Sequence, residues 1–224
     1  MTDGAHESDG DAHDDDAVRV EMRDTVAIVR LNRPAERNAL SIQTLEELDA
    51  TVSALDAAAH VSAIIFTGTG DVFASGANIR ELRALTPATA AGFAARGQRL
   101  MQRIADAKAL TIAAVNGYCM GGALDLALAC DLRCASPRAV FAHPGARLGI
   151  ITGWGGTQRL PRLVGATRAL QMFATAKRLN AREAQEIGLV NRLGEDALAC
   201  ALALAQTLDA ADIKNIVREV RRAT

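Results

Sequence analysis

Val18, Val20 and Met22 alternate with polar neighbours, and after Arg23-Asp24 the run Val26-Ala27-Ile28-Val29 is continuously apolar, which predicts a β-hairpin limited by Pro34. Ser41 is placed to cap a helix with the apolar stripe Leu45, Leu48, Val52 and Leu55, and Ala63 to Thr67 then reads as a short buried strand ending at Gly68-Thr69-Gly70. Thr86-Pro87 starts a second helix with Phe93, Leu100, Met101 and Ile104 on one face, followed by the strand Leu110 to Val115. Asp125 to Cys130 predicts a short helix, Leu132 to Ala135 and Val140 to Ala142 short strands, and the chain from Gly165 onward is helical in pattern, with a capping box at Asn180-Ala181-Arg182-Glu183. Strands alternating with helices imply an α/β layered fold with right-handed crossovers.

Twice an apolar run breaks on glycine just before a helix. One segment is Val115-Asn116-Gly117-Tyr118-Cys119-Met120-Gly121-Gly122-Ala123-Leu124-Asp125-Leu126, and the other runs from Val72 through Ser75-Gly76-Ala77-Asn78-Ile79-Arg80 to Leu82. Backbone N–H groups at a helix start lack intrahelical acceptors and attract negative charge, so two such starts that converge would form an oxyanion hole. A glycine pair taken alone reads first as a tight strand-to-helix turn and nothing more.

With 224 residues, half of them hydrophobic, the chain can bury one core, and one domain is expected. Aromatic residues make up only 3%, which argues against a base-stacking surface and so against nucleic acid as a partner. The formal charge of −1 hides an asymmetry: residues 1–16 hold seven acidic side chains and no Lys or Arg, leaving 25 basic against 19 acidic residues, a net +6, on the rest. The acidic start reads as a solvated, disordered tail, and the modestly basic body tolerates a phosphorylated ligand. Cys119, Cys130, Cys134 and Cys200 show neither CxxC nor His at ligand spacing, so buried thiols, no metal and a reducing cytoplasm are expected. No signal sequence opens the chain, no 18-residue apolar run could span a membrane, and a soluble protein follows.

Lined up in order, these segments resemble the crotonase, or enoyl-CoA hydratase/isomerase, superfamily. The resemblance runs from about Val18 to about Arg192. It rests on Leu31-Asn32-Arg33-Pro34 with Asn38-Ala39-Leu40, on Phe73 to Ile79, on Asn116-Gly117 through Cys130-Asp131, on Gly153-Trp154-Gly155-Gly156-Thr157-Gln158-Arg159-Leu160-Pro161, and on Ala184 to Val190. It implies a spiral of repeated β-β-α units over residues 17–192, after the 1–16 tail and before a shortened C-terminal helical region, 193–224. It also implies a coenzyme A thioester as substrate with no permanently bound cofactor, a role in fatty acid metabolism, and a homotrimer or hexamer. The thioester oxygen would be held by the N–H groups of Ala77 and Gly122. Coenzyme A would lie along Arg33 to Leu40 and the Ala74 to Arg80 loop, near Arg33, Arg37, Asn38, Ala39, Ser75, Ala77, Asn78, Ile79, Arg80, Gly121 and Gly122, with Arg33, Arg37 and Arg80 as phosphate contacts.

The chain departs from the family where acid and base would stand. Hydratases use two glutamates; here the first position is Asp125 and the second Gly145. Some isomerases carry Asp at the first position but have further carboxylates where this chain has Gly145 and Gly153. Asp125 is a candidate for proton transfer or, alternatively, a carboxylate stabilised in the first turn of its helix. His143, two residues before Gly145, is a candidate acid or base or a hydrogen-bonded strand-end histidine. Arg147 on the same segment could meet an anionic acyl group, Thr152 and Trp154 fall where the family lines its acyl pocket, and Asn78 replaces the usual Asp with a residue that can still cap. Three functions follow in order: hydration of an enoyl-CoA, isomerisation or another one-base reaction of an acyl-CoA, and catalytically silent acyl-CoA binding. A serine hydrolase lacks its serine at the Gly122 to Asp125 turn.

Overall fold

The computed structural model describes residues 16–207 and 210–222; the expected acidic tail, Asp16 apart, lies outside the described residues. The hairpin is formed by β1 (Val18–Arg23) and β2 (Val26–Leu31), antiparallel with Val18 opposite Leu31. Helix α1 (Ile42–Ala57) follows, its N-cap Ser41 accepting a hydrogen bond from Thr44 N at 3.1 Å, and leads to β3 (Ala63–Gly68), parallel to β2.

From β3 the chain repeats one manoeuvre. β3, β5 (Leu110–Val115) and β7 (Leu132–Ala135) enter a six-stranded sheet, and each is followed at once by a three-residue strand, β4 (Val72–Ala74), β6 (Tyr118–Met120) or β8 (Val140–Ala142), that enters a second, four-stranded sheet. Helices close the units: α2 (Ile79–Arg83) and α3 (Pro87–Asp106) after β4, α4 (Gly122–Ala129) after β6, and a 3-10 turn, Pro144–Leu148, after β8. This is the expected spiral of β-β-α units. The remainder is α5 (Gly156–Val164), α6 (Ala166–Thr175), β9 (Leu179–Asn180), α7 (Ala181–Glu186), β10 (Arg192–Leu193), α8 (Ala197–Ala205) and α9 (Ala210–Arg222).

Two expectations are corrected. The stretch after Gly165 is not wholly helical: β9 pairs antiparallel with β8 and β10 pairs parallel with β7, each through two residues, too few to impress a period on the sequence. Helix α4 begins at Gly122, three residues before Asp125, because Gly121 adopts φ 54°, ψ −120° and turns the chain directly into the helix.

The inner strands of the large sheet, β2, β3, β5 and β7, are buried on both faces, which is why they read as apolar runs, whereas β1 at the edge is half exposed and alternates. Ala27, Val29, Leu31, Ile64 and Phe66 pack into the main core with α1, α3 and α4, while Val26, Ala63, Ile65, Ile112 and Ala114 face Ala197, Ala201 and Ala205 of α8. Asn116 binds the end of β5 to the end of β3, donating to Gly68 O at 3.0 Å and Gly70 O at 2.9 Å and accepting from Gly68 N at 3.2 Å. Arg133, buried in β7, donates to Leu189 O at 2.7 Å and Cys130 O at 2.8 Å, so its guanidinium meets carbonyls at the end of α4. Arg221 holds α9 to the body by donating to both oxygens of Asp131, at 2.9 and 2.6 Å, and to Ala107 O.

Candidate active site

The two glycine-led helix starts meet. Leu40 and Ala77 form a parallel bridge in which Leu40 N donates to Gly76 O at 2.8 Å and Asn78 N donates to Leu40 O at 3.2 Å, so both bonds bypass the Ala77 N–H. Gly76 takes φ +96°, and Asn78 Oδ1 caps α2 by accepting from Arg80 N at 3.0 Å and Glu81 N at 3.4 Å. Across from this loop, Gly122 opens α4 with an N–H that has no acceptor in its own helix. A Cβ on Gly122 would stand 3.4 Å from Ala77 N, and one on Gly76 3.2 Å from Gly122 N and only 2.5 Å from Met120 O. The N–H groups of Ala77 and Gly122 are therefore neighbours, brought together where neither glycine tolerates a side chain. Both residues line a cavity of about 510 Å³.

Ser75, Asp125, His143 and Thr152 are the polar side chains on that cavity wall, together with the Trp154 indole; among the described residues no Lys, Arg or Glu lines it. Asp125, 1% exposed, lies in the first turn of α4. Its Oδ2 accepts a short hydrogen bond from Thr152 Oγ1, and its Oδ1 is 3.3 Å from His143 Nε2, outside hydrogen-bond geometry. Neither Oδ1 nor Nε2 has a hydrogen-bond partner of its own. The His143 ring, at the end of β8, packs on Phe173 of α6 with centroids 4.9 Å apart.

Burial sets the charge of this pair. It pushes the Asp125 carboxyl up to about 7, against the opposing pull of the Thr152 hydrogen bond, the Arg159 charge and the Trp154 backbone, and it pushes His143 down to about 4. At neutral pH the two are thus a neutral imidazole beside a carboxyl group near its midpoint, and the close approach is not an ion pair. Gly156, the first residue of α5, makes the approach feasible: a Cβ there would stand 2.1 Å from Asp125 Oδ1 and 3.1 Å from His143 Nε2. Gly156 belongs to the Gly153 to Pro161 stretch that carries the resemblance, but its place against Asp125 and His143 arises only when α5 docks.

Trp154 is wedged between two helices. A Cβ on Gly97 of α3 would meet its Nε1 at 2.2 Å and one on Gly122 its ring at 2.3 Å, while Phe93 packs on it with centroids 5.5 Å apart. On the opposite side the cavity opens through Ile150, Ile151 and Leu170, which are 47%, 67% and 67% exposed. Gly145 also lines it, but a Cβ there would stand 2.6 Å from Ile150 O. Arg147 is exposed and not part of the wall.

Of the residues expected to hold coenzyme A, Ser75, Ala77, Ile79, Gly121 and Gly122 line the cavity. Arg33, Arg37, Ala39, Asn78 and Arg80 are not part of its wall; Ser75 N donates to Arg37 O at 3.0 Å and Leu40 N to Gly76 O at 2.8 Å, so the Arg37 to Leu40 segment runs along the Ala74 to Arg80 loop. Asn38 differs from expectation. It is buried, its Oδ1 accepts from Arg33 N at 2.9 Å and its Nδ2 faces the Thr69, Val72 and Phe73 carbonyls, so its side chain is a clip for the segment and offers nothing to a ligand. Among the described residues no group of three His, Cys, Asp or Glu side chains gathers to hold a metal ion.

The family model for enoyl-CoA hydratase/isomerase matches residues 21–223. The chain is 41% identical over 179 residues to a short-chain-enoyl-CoA hydratase of Clostridium acetobutylicum, covering 80% of this chain and 69% of that one. It is 43% identical over 175 residues to a crotonyl-CoA hydratase of Syntrophomonas wolfei, covering 78% and 67%. The crystal structure of an enoyl-CoA hydratase from Bacillus anthracis superposes with a TM-score of 0.88 at 30% identity, covering 92% of this chain and 82% of that one.

Proposed function

Because the chain belongs to the enoyl-CoA hydratase/isomerase family, we propose that it is an enzyme that adds water across the double bond of an enoyl-CoA thioester, stabilising an enolate at Ala77 and Gly122. The observation that carries this reading is the placement of one carboxyl, Asp125, on the wall of a mostly apolar cavity that two adjacent backbone donors also line. Addition of oxygen at C3 moves charge onto the thioester oxygen, and donors fixed at that point stabilise it without reorganising; losing one such donor typically costs ~10²–10³ in rate. Asp125, held near neutral pKa by burial, is poised to give a proton to C2. The substrate itself supplies coenzyme A, along the Arg33 to Leu40 segment, with Arg33, Arg37 and Arg80 as the contacts of its phosphates.

Isomerisation of the double bond is the second reading, favoured by one observation: Gly145 leaves the wall with a single carboxylate, and one group that removes and returns a proton suffices for that reaction. The family resemblance further supports a homotrimer or hexamer serving fatty acid metabolism. A cytoplasmic setting is consistent with four cysteines outside any disulfide, and no helix among the described residues is long and apolar enough to cross a membrane.

The test is loss of the enoyl-thioester absorbance with crotonyl-CoA, comparing the protein with Asp125→Ala. Turnover that falls by about 10²-fold or more in the variant is expected, in line with general acid catalysis. Butyryl-CoA binding without any turnover of an enoyl-CoA would overturn hydration.

A further inference from the structure

We propose that His143 is a second catalytic residue, the base that takes a proton from the attacking water while Asp125 delivers its own proton to C2. The inference rests on the hydration reading and answers what that reading leaves open, since hydration needs two proton-handling groups and Gly145 supplies none. Three observations carry it. His143 and Asp125 both line one cavity, and His143 Nε2 and Asp125 Oδ1 are 3.3 Å apart. Both atoms are buried and lack a hydrogen-bond partner, so each retains capacity for a water or a substrate hydrogen. Of the other polar side chains on the wall, Thr152 already donates to Asp125 Oδ2, and Ser75 is a hydroxyl with no basic character at neutral pH.

The geometry also divides the labour. Asp125 stands in the same helical turn as Gly122, which on the hydration reading holds the thioester oxygen, and so is assigned to the carbon next to the carbonyl. His143 comes from the neighbouring strand end and serves the next carbon along. In the forward reaction the water oxygen bonds to C3, one water O–H bond breaks with its proton passing to His143 Nε2, and the C2=C3 pair moves into the enolate held at Ala77 and Gly122. The enolate then takes the Asp125 proton at C2, restoring the carbonyl. An imidazolium beside a carboxylate remains, each offsetting the other's buried charge, and transfer of the proton from Nε2 to Oδ1 resets the pair. Burial sets the charge of His143, and Asp125 is acted on besides by the Thr152 hydroxyl, the Arg159 charge from α5 and the Trp154 backbone; the Cys119 thiol of β6, which burial and Asp125 hold well above its ordinary value, stays neutral beside them, and Phe173 of α6 packs on the imidazole ring.

The experiment compares wild type, His143→Gln and Asp125→Asn in two assays: hydration of crotonyl-CoA at pH 7, and exchange of the C2 hydrogens of butyryl-CoA into D₂O at pH 8. Exchange needs enolate formation but no water attack, so it isolates the Asp125 half of the chemistry. His143→Gln is expected to lose ~10²-fold or more in hydration while exchange stays within about threefold, and Asp125→Asn to lose both. Equal losses in both assays for His143→Gln would mean that the ring only positions Asp125, and unchanged hydration would remove it from the reaction; either result overturns the proposal. Should His143→Gln fail to fold, His143→Asn, which also removes the base, is carried through the same two assays: a loss in hydration with exchange retained is expected, and equal losses or unchanged hydration would overturn the proposal. Wild type that exchanges butyryl-CoA but hydrates no enoyl-CoA would instead remove the hydration reading itself.

Discussion

Asp125 and His143 each bear a charge in the unfolded chain near pH 5 and neither does once folded, and the consequences for stability have opposite signs. Asp125 titrates near 3.8 when exposed and near 7 in the fold, so between those values the folded state binds the extra proton and stability falls as pH rises. His143 titrates near 6.5 when exposed and near 4 in the fold, so between those values the unfolded state binds the extra proton and stability falls as pH drops. From about pH 4 to 6.5 the two slopes cancel. Denaturant unfolding of Asp125→Asn across that window is expected to show stability rising with pH, and His143→Gln to show it falling, each by up to about 1.4 kcal/mol per pH unit. A wild-type-like, flat dependence in both variants would contradict the burial that sets these values. The carboxylate was legible in the sequence through the motif around it. Its contacts were not: Thr152 is 27 residues away and Gly156 touches Asp125 only after α5 has docked, so no local pattern announces either.

Elements were legible in proportion to their length. Helices α1 and α3, with long stripes and identifiable caps, and the six-residue strands of the large sheet follow from periodicity. The small sheet does not, because β4, β6, β8 and β9 contribute three residues or two apiece, and only β8 was marked by an apolar stretch read as a strand. This matters for the site, since those short strands deliver Ser75, Gly121 and His143 to the cavity. The 3-10 turn after β8 makes a further prediction at this scale. Restoring a carboxylate with Gly145→Glu drives a Cβ against Ile150 O, and denaturation should show a loss of about 1–3 kcal/mol. At exposed Gly153 the nearest atom to an added Cβ is Ala94 Cβ at 3.9 Å, so Gly153→Asp should change stability by no more than about 0.5 kcal/mol. A stable Gly145→Glu protein would show that the turn yields, and that the absent second carboxylate is not a steric necessity.

At the scale of the molecule, the two sheets advance together, and their shared connections place strand ends, helix starts and the α5–α6 pair around one cavity. That architecture followed from the resemblance, whereas periodicity alone gave only alternating strands and helices. The buried cation Arg133 illustrates the gap: nothing in its sequence neighbourhood distinguishes it from a surface arginine, yet it joins β7, the end of α4 and the Leu189 to Asn191 segment. Trp154 shows the converse, a residue whose position says more than its chemistry. It is the single tryptophan of the 224 residues, 3% exposed, and its ring leans on the very glycine that opens α4 beside the Ala77 N–H and that the proposed function gives to the thioester oxygen. The protein therefore carries its own optical reporter. Its intrinsic emission originates from one dry site on the cavity wall, should peak at the short-wavelength end of the indole range, and should change in intensity when butyryl-CoA is titrated in. Occupancy could then be followed during turnover without a label, and a silent titration alongside calorimetric binding would locate the acyl group away from Gly122.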